Sequence, residues 1–274
     1  MRTATVGSEV CMNPEKARTR VITALVVLAV VLPPLVKGGI LLECLLAGVL
    51  AGAAFEATRL KDGKQRPLLL LLFIAAGELM VHVNESLFFV VCSFWIVLLF
   101  VSVIVSEDMT VDFAAVLFLM SMIIAQGARG LLRMYTDGQG WKYVLFVGLA
   151  CYLCDAGAWL FGSLFGRHKM IPRISPNKTW EGAAGGYLCG ILGSALFAYF
   201  AHLDLPFRLI VLCCAVLPPV SMVGDLAFSI FKRYYGIKDY SNLLPGHGGV
   251  LDRIDSLLFC LMVFNGLMAL RGIL

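Results

Sequence analysis

Long apolar stretches, separated by short polar connections, run through most of the chain. Nine stretches can be delimited, each long enough to cross a hydrocarbon core of about 30 Å as a helix. They cover residues 21–36, 40–58, 67–83, 87–105, 111–127, 143–165, 182–200, 207–231 and 251–271. The pattern predicts an all-α, polytopic integral membrane protein with about nine transmembrane helices and no separate soluble domain.

Composition supports this interpretation. Of the 274 residues, 60% are hydrophobic and only 15% are charged, and the mean hydropathy is +0.88. A soluble domain would be about half apolar and about one quarter charged. Most cysteines lie inside the apolar stretches, and the C-x-x-C at 151–154 has no second pair, so helix packing is favoured over metal or redox chemistry.

The basic residues orient the helices. With a cytoplasmic N-terminus and nine spanning helices, 16 of the 22 Lys and Arg residues lie on the cytoplasmic side, as the positive-inside rule requires. Segment 106–142 fits the rule least well, because its first connection is acidic and its second carries three basic residues. The net charge of +4 needs no nucleic-acid partner, since the positive side would face anionic lipid head groups or a phosphorylated substrate.

Charged residues inside apolar stretches are the first functional candidates, because a charge in lipid is costly. Glu56 lies close enough to Arg59 to form a simple interfacial pair, and Glu78 also lies near the end of its stretch. Asp155 lies in the middle of the sixth stretch, and Asp225 lies within two turns of a basic cluster. For either aspartate alone, a polar contact between helices is a fair alternative.

The connection at 166–182, "GRHKMIPRISPNKTWEG", contains two prolines and several basic residues, which predicts a structured, non-helical segment. Its second half predicts a turn capped by Ser175 or Asn177, with Thr179 and Glu181 in the first turn of the next helix. A helix start beside Lys178 suits an anion. A basic connection is also expected on the cytoplasmic side without any such role.

The segment at 229–255, "SIFKRYYGIKDYSNLLPGHGGVLDRID", is the most polar part of the chain near a membrane helix. Asp252 and Asp255 are three residues apart at a predicted helix start and therefore share a face. Such an oxygen-rich site suits Mg²⁺. The glycines of "PGHGG" would let backbone N–H groups approach a phosphate closely. Together these features indicate phosphoryl or nucleotidyl chemistry.

Residues 155–256 resemble the phosphatidate cytidylyltransferases, also called CDP-diacylglycerol synthases. The resemblance rests on "CDAGAWLFG", "SPNKTWEG", Gly224-Asp225 and a long C-terminal pattern. That pattern comprises Ser229, Lys232-Arg233, Lys238-Asp239, Ser241, Leu244-Pro245, His247-Gly248-Gly249, Asp252-Arg253 and Asp255. It implies that CTP and phosphatidic acid give CDP-diacylglycerol and pyrophosphate with Mg²⁺, in an all-helical membrane homodimer that serves phospholipid synthesis.

The resemblance also implies roles for residues. The resemblance implies that one or two cations are bound by Asp225, Asp239, Asp252 and Asp255. It also implies that phosphates are contacted by Ser175, Asn177, Lys178 and Thr179. Gly246, Gly248 and Gly249 would approach the substrate. The candidates for contacts to pyrophosphate or the lipid phosphate are Lys232, Arg233, Lys238 and Arg253. His247 either donates a hydrogen bond to a phosphate or packs beneath the glycine turn.

On this basis the chain divides into a cytoplasmic segment (1–20), N-terminal transmembrane helices (21–140) and a C-terminal catalytic region (141–274). The expected location is a bacterial inner membrane, with the active site facing the cytoplasm. One alternative is a related CTP-dependent transferase acting on another lipid phosphate. A second is an ion-coupled secondary transporter with Asp155 and Asp225 at a midplane ion site, although the sequence shows no convincing repeat.

Overall fold

A computed structural model describes residues 14–273, and nine α-helices make up most of this part of the chain. The helices are α1 (Pro14–Lys37), α2 (Gly39–Thr58), α3 (Pro67–His82), α4 (Glu85–Val105), α5 (Val111–Met134), α6 (Gly140–Phe165), α7 (Trp180–Phe200), α8 (Phe207–Tyr234) and α9 (Leu251–Met268). Strands β1 (Lys169–Ile171) and β2 (Ser175–Thr179) form an antiparallel hairpin between α6 and α7. Of the predicted cytoplasmic segment 1–20, residues 1–13 lie outside the described part.

Each predicted apolar stretch corresponds to one helix, which confirms the all-α, polytopic membrane fold. Seven of the described helices are long and apolar enough to span a membrane, namely α1, α2, α4, α5, α6, α7 and α8. Helix α3 is apolar but has only 16 residues, and α9 has three charged residues in its first two turns. Helix α5 extends to Met134, well beyond its predicted end at residue 127.

The connections alternate between the two ends of the bundle. Lys61 Nζ donates to the backbone oxygen of Asp108 at 2.7 Å, which joins the α2–α3 connection to the α4–α5 connection. At the other end, Arg271 Nη2 lies 3.0 Å from Asp204 Oδ2, which joins the residues after α9 to the α7–α8 connection. Segment 106–142 therefore follows the predicted order, despite its poor fit to the positive-inside rule.

Local capping explains where several helices begin. Asn84 accepts a hydrogen bond from the backbone N–H of Leu87 at 2.9 Å and caps α4. Pro67 occupies the first turn of α3, where its missing N–H costs nothing. Thr179 caps α7 by accepting from the N–H of Gly182 at 3.1 Å.

The hairpin corrects the predicted entry into α7. Ser175 and Asn177 lie in β2, and the cap is Thr179, whose extended backbone pairs with Lys169 of β1. Residues 175–177 are extended and pair with β1, so they cannot form the predicted capping turn. Thr179, the last residue of β2, therefore caps α7. Glu181 lies in the first turn of α7, as predicted.

Two apolar clusters hold the bundle together. One surrounds Phe73, Trp95 and Phe113 of α3, α4 and α5, and the other surrounds Phe146 of α6 and Phe264 of α9. Helix α9 packs against α5, α8, α6 and α2, so its acidic first turns lie among several helices rather than at the periphery. The predicted packing role of the C-x-x-C is consistent with Cys151 and Cys154, which are buried free thiols.

A candidate active site at one end of the bundle

Helices α6, α7, α8 and α9 and the β1–β2 hairpin line a cavity of about 660 Å³. A cavity of this size is typical of small-molecule sites. Its polar lining consists of Asp155, Ser163, Asn177, Lys178, Thr179, Asp225, Asp252, Arg253, Asp255 and Ser256. The apolar part of the lining includes Tyr152, Trp159, Met170 and Met222. The cavity therefore combines a charged region with an aromatic border.

Three carboxylates from three helices face this cavity: Asp155 of α6, Asp225 of α8 and Asp255 of α9. Ser256 links two of them, because its hydroxyl donates to Asp155 Oδ2 at 3.2 Å and its backbone N–H donates to Asp255 Oδ1 at 2.8 Å. The hydroxyl of Ser221 lies 3.5 Å from Asp155 Oδ1. Hydroxyl groups of α8 and α9 therefore orient the α6 carboxylate.

Asp155 is the one carboxylate of the cavity lining that the predicted site does not include. Its sequence signal was present, since a carboxylate with apolar turns on both sides is functional by default. The signal was ambiguous because a polar contact between helices gives the same pattern. Both interpretations hold in the structure, where Asp155 contacts Ser221 and Ser256 and also lines the cavity.

The cavity carries a surplus of negative charge. Lys178 of β2 forms an ion pair with Asp225. Among the side chains that the structure describes, from residue 18 onward, no cation lies within ion-pair distance of Asp155 or Asp255. Arg253 also lines the cavity, with its Nε donating to the backbone oxygen of His247 at 2.7 Å. Two carboxylates are therefore left to interact with a cation or a polar ligand.

The donor set fits a hydrated Mg²⁺ ion. Carboxylate oxygens are the hard ligands that Mg²⁺ prefers, and the ion commonly binds through one or two of them while keeping water and phosphate oxygens. In the described part of the chain, no group of three or more His, Cys, Asp or Glu side chains is arranged to hold a metal on its own. These residues therefore fit a cation that is bound partly by the protein and partly by the substrate.

Asp252 differs from the other cavity carboxylates because both of its oxygens are already hydrogen-bonded. Oδ1 accepts from Lys232 Nζ at 2.7 Å, and Oδ2 accepts from the N–H groups of Tyr240 and Gly249 at 2.9 and 3.0 Å. That Asp252 and Asp255 hold one cation between them stays a prediction, because these three bonds do not use every lone pair of the Asp252 carboxylate. Asp252 therefore anchors the preceding loop in addition to lining the cavity, as Asp255 does.

Tyr240 belongs to the same anchor. Its hydroxyl donates to the backbone oxygen of Phe228 at 3.0 Å. Burial, reinforced by the nearby charge of Asp252, raises the pKa of Tyr240 above its usual range. The phenol is therefore a neutral donor that ties the loop to α8 at physiological pH.

The glycine-rich loop approaches carboxylates of the protein itself. Leu244 and Gly248 pair through a 2.9 Å bond, with positive φ at Gly246 and Gly248. The N–H of Gly249 donates to Asp252, and a Cβ atom there would lie 2.5 Å from Glu56 Oε1. The predicted close approach is thus present, but it serves Glu56 and Asp252 rather than leaving the Gly249 N–H free for a phosphate.

Glu56 also corrects the expected pair with Arg59. Its carboxylate is 1% exposed and accepts from the N–H groups of Val250 and Leu251, both at 2.8 Å. Arg59 Nε instead donates to the backbone oxygen of Gly63 at 2.9 Å. The glycine-rich segment shields this end of α2 from water, so Glu56 is buried rather than interfacial.

The remaining predicted residues divide into those near the cavity and those outside its lining. Asn177, Lys178, Thr179, Asp225, Asp252, Arg253 and Asp255 line it. Outside the lining are Ser175, Lys232, Arg233, Lys238, Asp239, Gly246, His247, Gly248 and Gly249. Asp239 and Lys238 are exposed, and neither belongs to the cavity lining.

Arg233 and His247, both outside the lining, differ in their side-chain contacts. Arg233 donates to the backbone oxygens of Ile174 and Ile237 at 3.3 and 3.0 Å and thereby joins the hairpin to α8. His247 Nδ1 is buried without a hydrogen-bond partner among the described residues. Both roles predicted for His247, a hydrogen bond to a phosphate and packing beneath the glycine turn, stay predictions.

Comparison with known proteins gives consistent matches along nearly the whole chain. Residues 18–271 match the model of the cytidylyltransferase family. The phosphatidate cytidylyltransferase of Staphylococcus epidermidis is 38% identical over 259 residues, and that of Staphylococcus saprophyticus is 34% identical over 256. The phosphatidate cytidylyltransferase of Staphylococcus aureus is 33% identical over 258 residues. Each alignment covers 90% of this chain and 97% of the relative.

Proposed function

Because the chain belongs to the cytidylyltransferase family, we propose that it transfers the cytidylyl group of CTP to phosphatidic acid, giving CDP-diacylglycerol and pyrophosphate. The observation that carries the proposal is the cavity in which Asp155, Asp225 and Asp255 lie beside Lys178 and Arg253. Its charged side chains belong to elements at the polar end of a bundle of membrane helices. A lipid phosphate and a nucleotide can meet at such a place.

The proposed reaction needs no nucleophilic side chain. The attacking group is an anionic oxygen of phosphatidic acid, which forms a bond to the α-phosphorus of CTP while the bond to pyrophosphate breaks. The difficulty is to bring two polyanions together and to stabilise charge on the α-phosphate and the leaving group. Fixed cations and hydrogen-bond donors supply that stabilisation in phosphoryl-transfer sites.

We propose that Asp155, Asp225 and Asp255 supply the carboxylates for Mg²⁺, which would be held by one or two of them together with phosphate oxygens of the substrate and would neutralise charge on the phosphates. Lys178 and Arg253 are the cationic side chains of the lining and would contact phosphate oxygens. Lys178 pairs with Asp225, so its ammonium group is held at the cavity wall. Asn177 and Thr179 flank it on β2 and supply polar groups for orientation.

The aromatic border is suited to the lipid substrate. Tyr152 and Trp159 line the cavity from α6 yet are 51% and 74% exposed, and α6 is a membrane-spanning helix. Their position supports a mode of binding in which the phosphate enters the cavity and the acyl chains remain in the bilayer. We further infer a bacterial inner membrane with the active site on the cytoplasmic side, from the charge distribution, and a homodimer, from the family resemblance.

The test is to follow pyrophosphate release and lipid product with purified protein. Turnover should require CTP, phosphatidic acid and Mg²⁺, and ATP should be a poor substitute. Equal turnover of ATP would contradict the assignment. Preference for a different lipid phosphate would favour a related transferase, and CTP-independent ion flux in proteoliposomes would favour a transporter.

A further inference from the structure

Glu56 is a buried carboxylate that the proposed chemistry does not use. It lies near the end of α2, a helix that contributes no residue to the cavity lining. Its side chain is 1% exposed, and no cationic side chain within the described residues lies within ion-pair distance. A buried charge without a cation is costly unless hydrogen-bond donors and dipoles replace water around it.

Hydrogen-bond donors in the α8–α9 loop and at the start of α9 compensate the buried charge of Glu56. Glu56 accepts from the hydroxyl of Ser241 at 2.5 Å and from the N–H groups of Val250 and Leu251, both at 2.8 Å. Val250 and Leu251 begin α9, where free N–H groups carry a partial positive charge. Glu56 therefore caps α9 from another helix, since the side chain of Val250 provides no capping bond.

The fit between α2 and this segment is close on both sides. A Cβ atom at Gly249 would lie 2.5 Å from Glu56 Oε1, and a Cβ atom at Gly52 would lie 3.1 Å from Val250 Cγ2. Both glycines thus allow contact that a larger residue would prevent. The start of α9 has little room to shift relative to α2.

We propose that Glu56 is a positioning residue for cytidylyl transfer: by fixing the start of α9, it sets where Asp255 and Arg253 stand in the cavity. Asp255 follows Leu251 by about one helical turn, so a shift of the helix start is passed on to its carboxylate. Glu56 itself does not contact the substrates. The inference rests on the proposed function, because its catalytic consequence is measured in that reaction.

The test compares Glu56→Gln with Glu78→Gln. Glu78 undergoes the same chemical change on α3, where its partner is His82 at 3.3 Å. In Glu56→Gln the side chain has only one acceptor oxygen. Its NH₂ group would face one of the two backbone N–H donors, so one of these hydrogen bonds would be lost. We expect kcat per folded protein to fall by about 10- to 100-fold, as displacements of about 1 Å do elsewhere, with a higher Mg²⁺ concentration at half-maximal rate. Loss of folded protein alone would leave that Mg²⁺ midpoint unchanged.

A readout independent of activity is deuterium uptake by the segment 243–255. Uptake should become faster in Glu56→Gln and stay unchanged in Glu78→Gln. Glu56→Asp keeps the charge but is one methylene shorter and reaches the donors less well, so it should restore only part of the thermal stability and of kcat. If Glu56→Gln does not fold, Glu56→Asp and Ser241→Ala, which removes one donor, are measured in its place.

Wild-type kcat, Mg²⁺ midpoint and uptake in Glu56→Gln would overturn the inference. The same result in Glu56→Asp and Ser241→Ala would overturn it if Glu56→Gln is unfolded. An inactive wild-type protein would instead refute the proposed function. The exchange measurement would then still decide whether Glu56 anchors α9, so the two failures are distinguishable.

Discussion

Lys232 Nζ and Asp252 Oδ1 lie 2.7 Å apart, and their side chains are only 11% and 5% exposed. The pair joins α8 to α9 beside the cavity, with the ammonium group 5.3 Å from the ring centre of Tyr240. Two charges with so little access to water depend on each other, because either one alone would remain buried without compensation.

Replacing one partner of this pair should therefore lower stability. Asp252→Asn leaves the Lys232 ammonium group buried and is expected to reduce the free energy of unfolding by about 3 kcal/mol. Denaturation of the purified protein in detergent measures the loss. Adding Lys232→Met to Asp252→Asn should recover part of it, because the uncompensated charge is gone. Wild-type stability of Asp252→Asn would show that the pair is not a structural anchor.

Asp255→Asn and Asp155→Asn should behave in the opposite way. Each removes a negative charge from a cavity in which like charges face one another, so stability should be kept or slightly increased. Loss of a group that stabilises the transition state should lower kcat on the order of 100-fold. Kinetics, Mg²⁺ titration and thermal denaturation are compared with Glu78→Gln as the control. Normal turnover at limiting Mg²⁺ would place the metal elsewhere.

Chelation tests the same site in the unmodified protein. EDTA should abolish formation of CDP-diacylglycerol, and added Mg²⁺ should restore it, because Lys178 and Arg253 face four carboxylates in the lining and leave the charge of the phosphates without compensation. Thermal denaturation with and without EDTA serves as the control for unfolding. Full turnover in EDTA would refute the proposed metal requirement.

Lys178→Ala should impair substrate binding more than folding. Its ion pair with Asp225 is partly exposed, 29% and 33% for the two side chains, so its loss should change stability by less than about 1 kcal/mol. The apparent KM for CTP or for phosphatidic acid should rise, or kcat should fall. Lys169→Ala, in the same hairpin but outside the cavity lining, is the matched control. If Lys178→Ala has wild-type kinetics, the basic residues of the hairpin reflect only the positive-inside rule and do not bind substrate.

Cysteine labelling in a background without native thiols tests the topology. Pro176→Cys and Asn242→Cys lie at exposed positions in the hairpin and in the α8–α9 loop, which Arg233 holds close together. Ser86→Cys is exposed at the start of α4, at the opposite end of the bundle. A membrane-impermeant maleimide added to intact cells should modify only Ser86→Cys. Labelling of Pro176→Cys from outside would invert the proposed orientation.

The helices could be predicted from the sequence because the length of an apolar stretch determines whether it can span a bilayer. The roles of the individual carboxylates could not be predicted from the lengths of the apolar stretches. Asp252 and Asp255 have equivalent positions in the sequence pattern, and only the position of Lys232 on a neighbouring helix separates their roles. Hydropathy does not reveal which helices are neighbours. For the same reason, the sequence predicts an ion pair between Glu56 and Arg59, three residues away, and does not reveal its actual partners at the start of α9.

The bond between Glu56 and Val250 spans 194 residues, so the two partners are synthesised at very different times. Helix α2 enters the bilayer while α9 does not yet exist, and its carboxylate has then no donors from Val250 and Leu251. A charge in hydrocarbon is costly, so this end of the nascent α2 is expected to stay at the water interface or to remain protonated. It can take its final position only after residues 250 and 251 have been made. The timing of synthesis, rather than insertion of the early helices, therefore determines when the cavity acquires its shape.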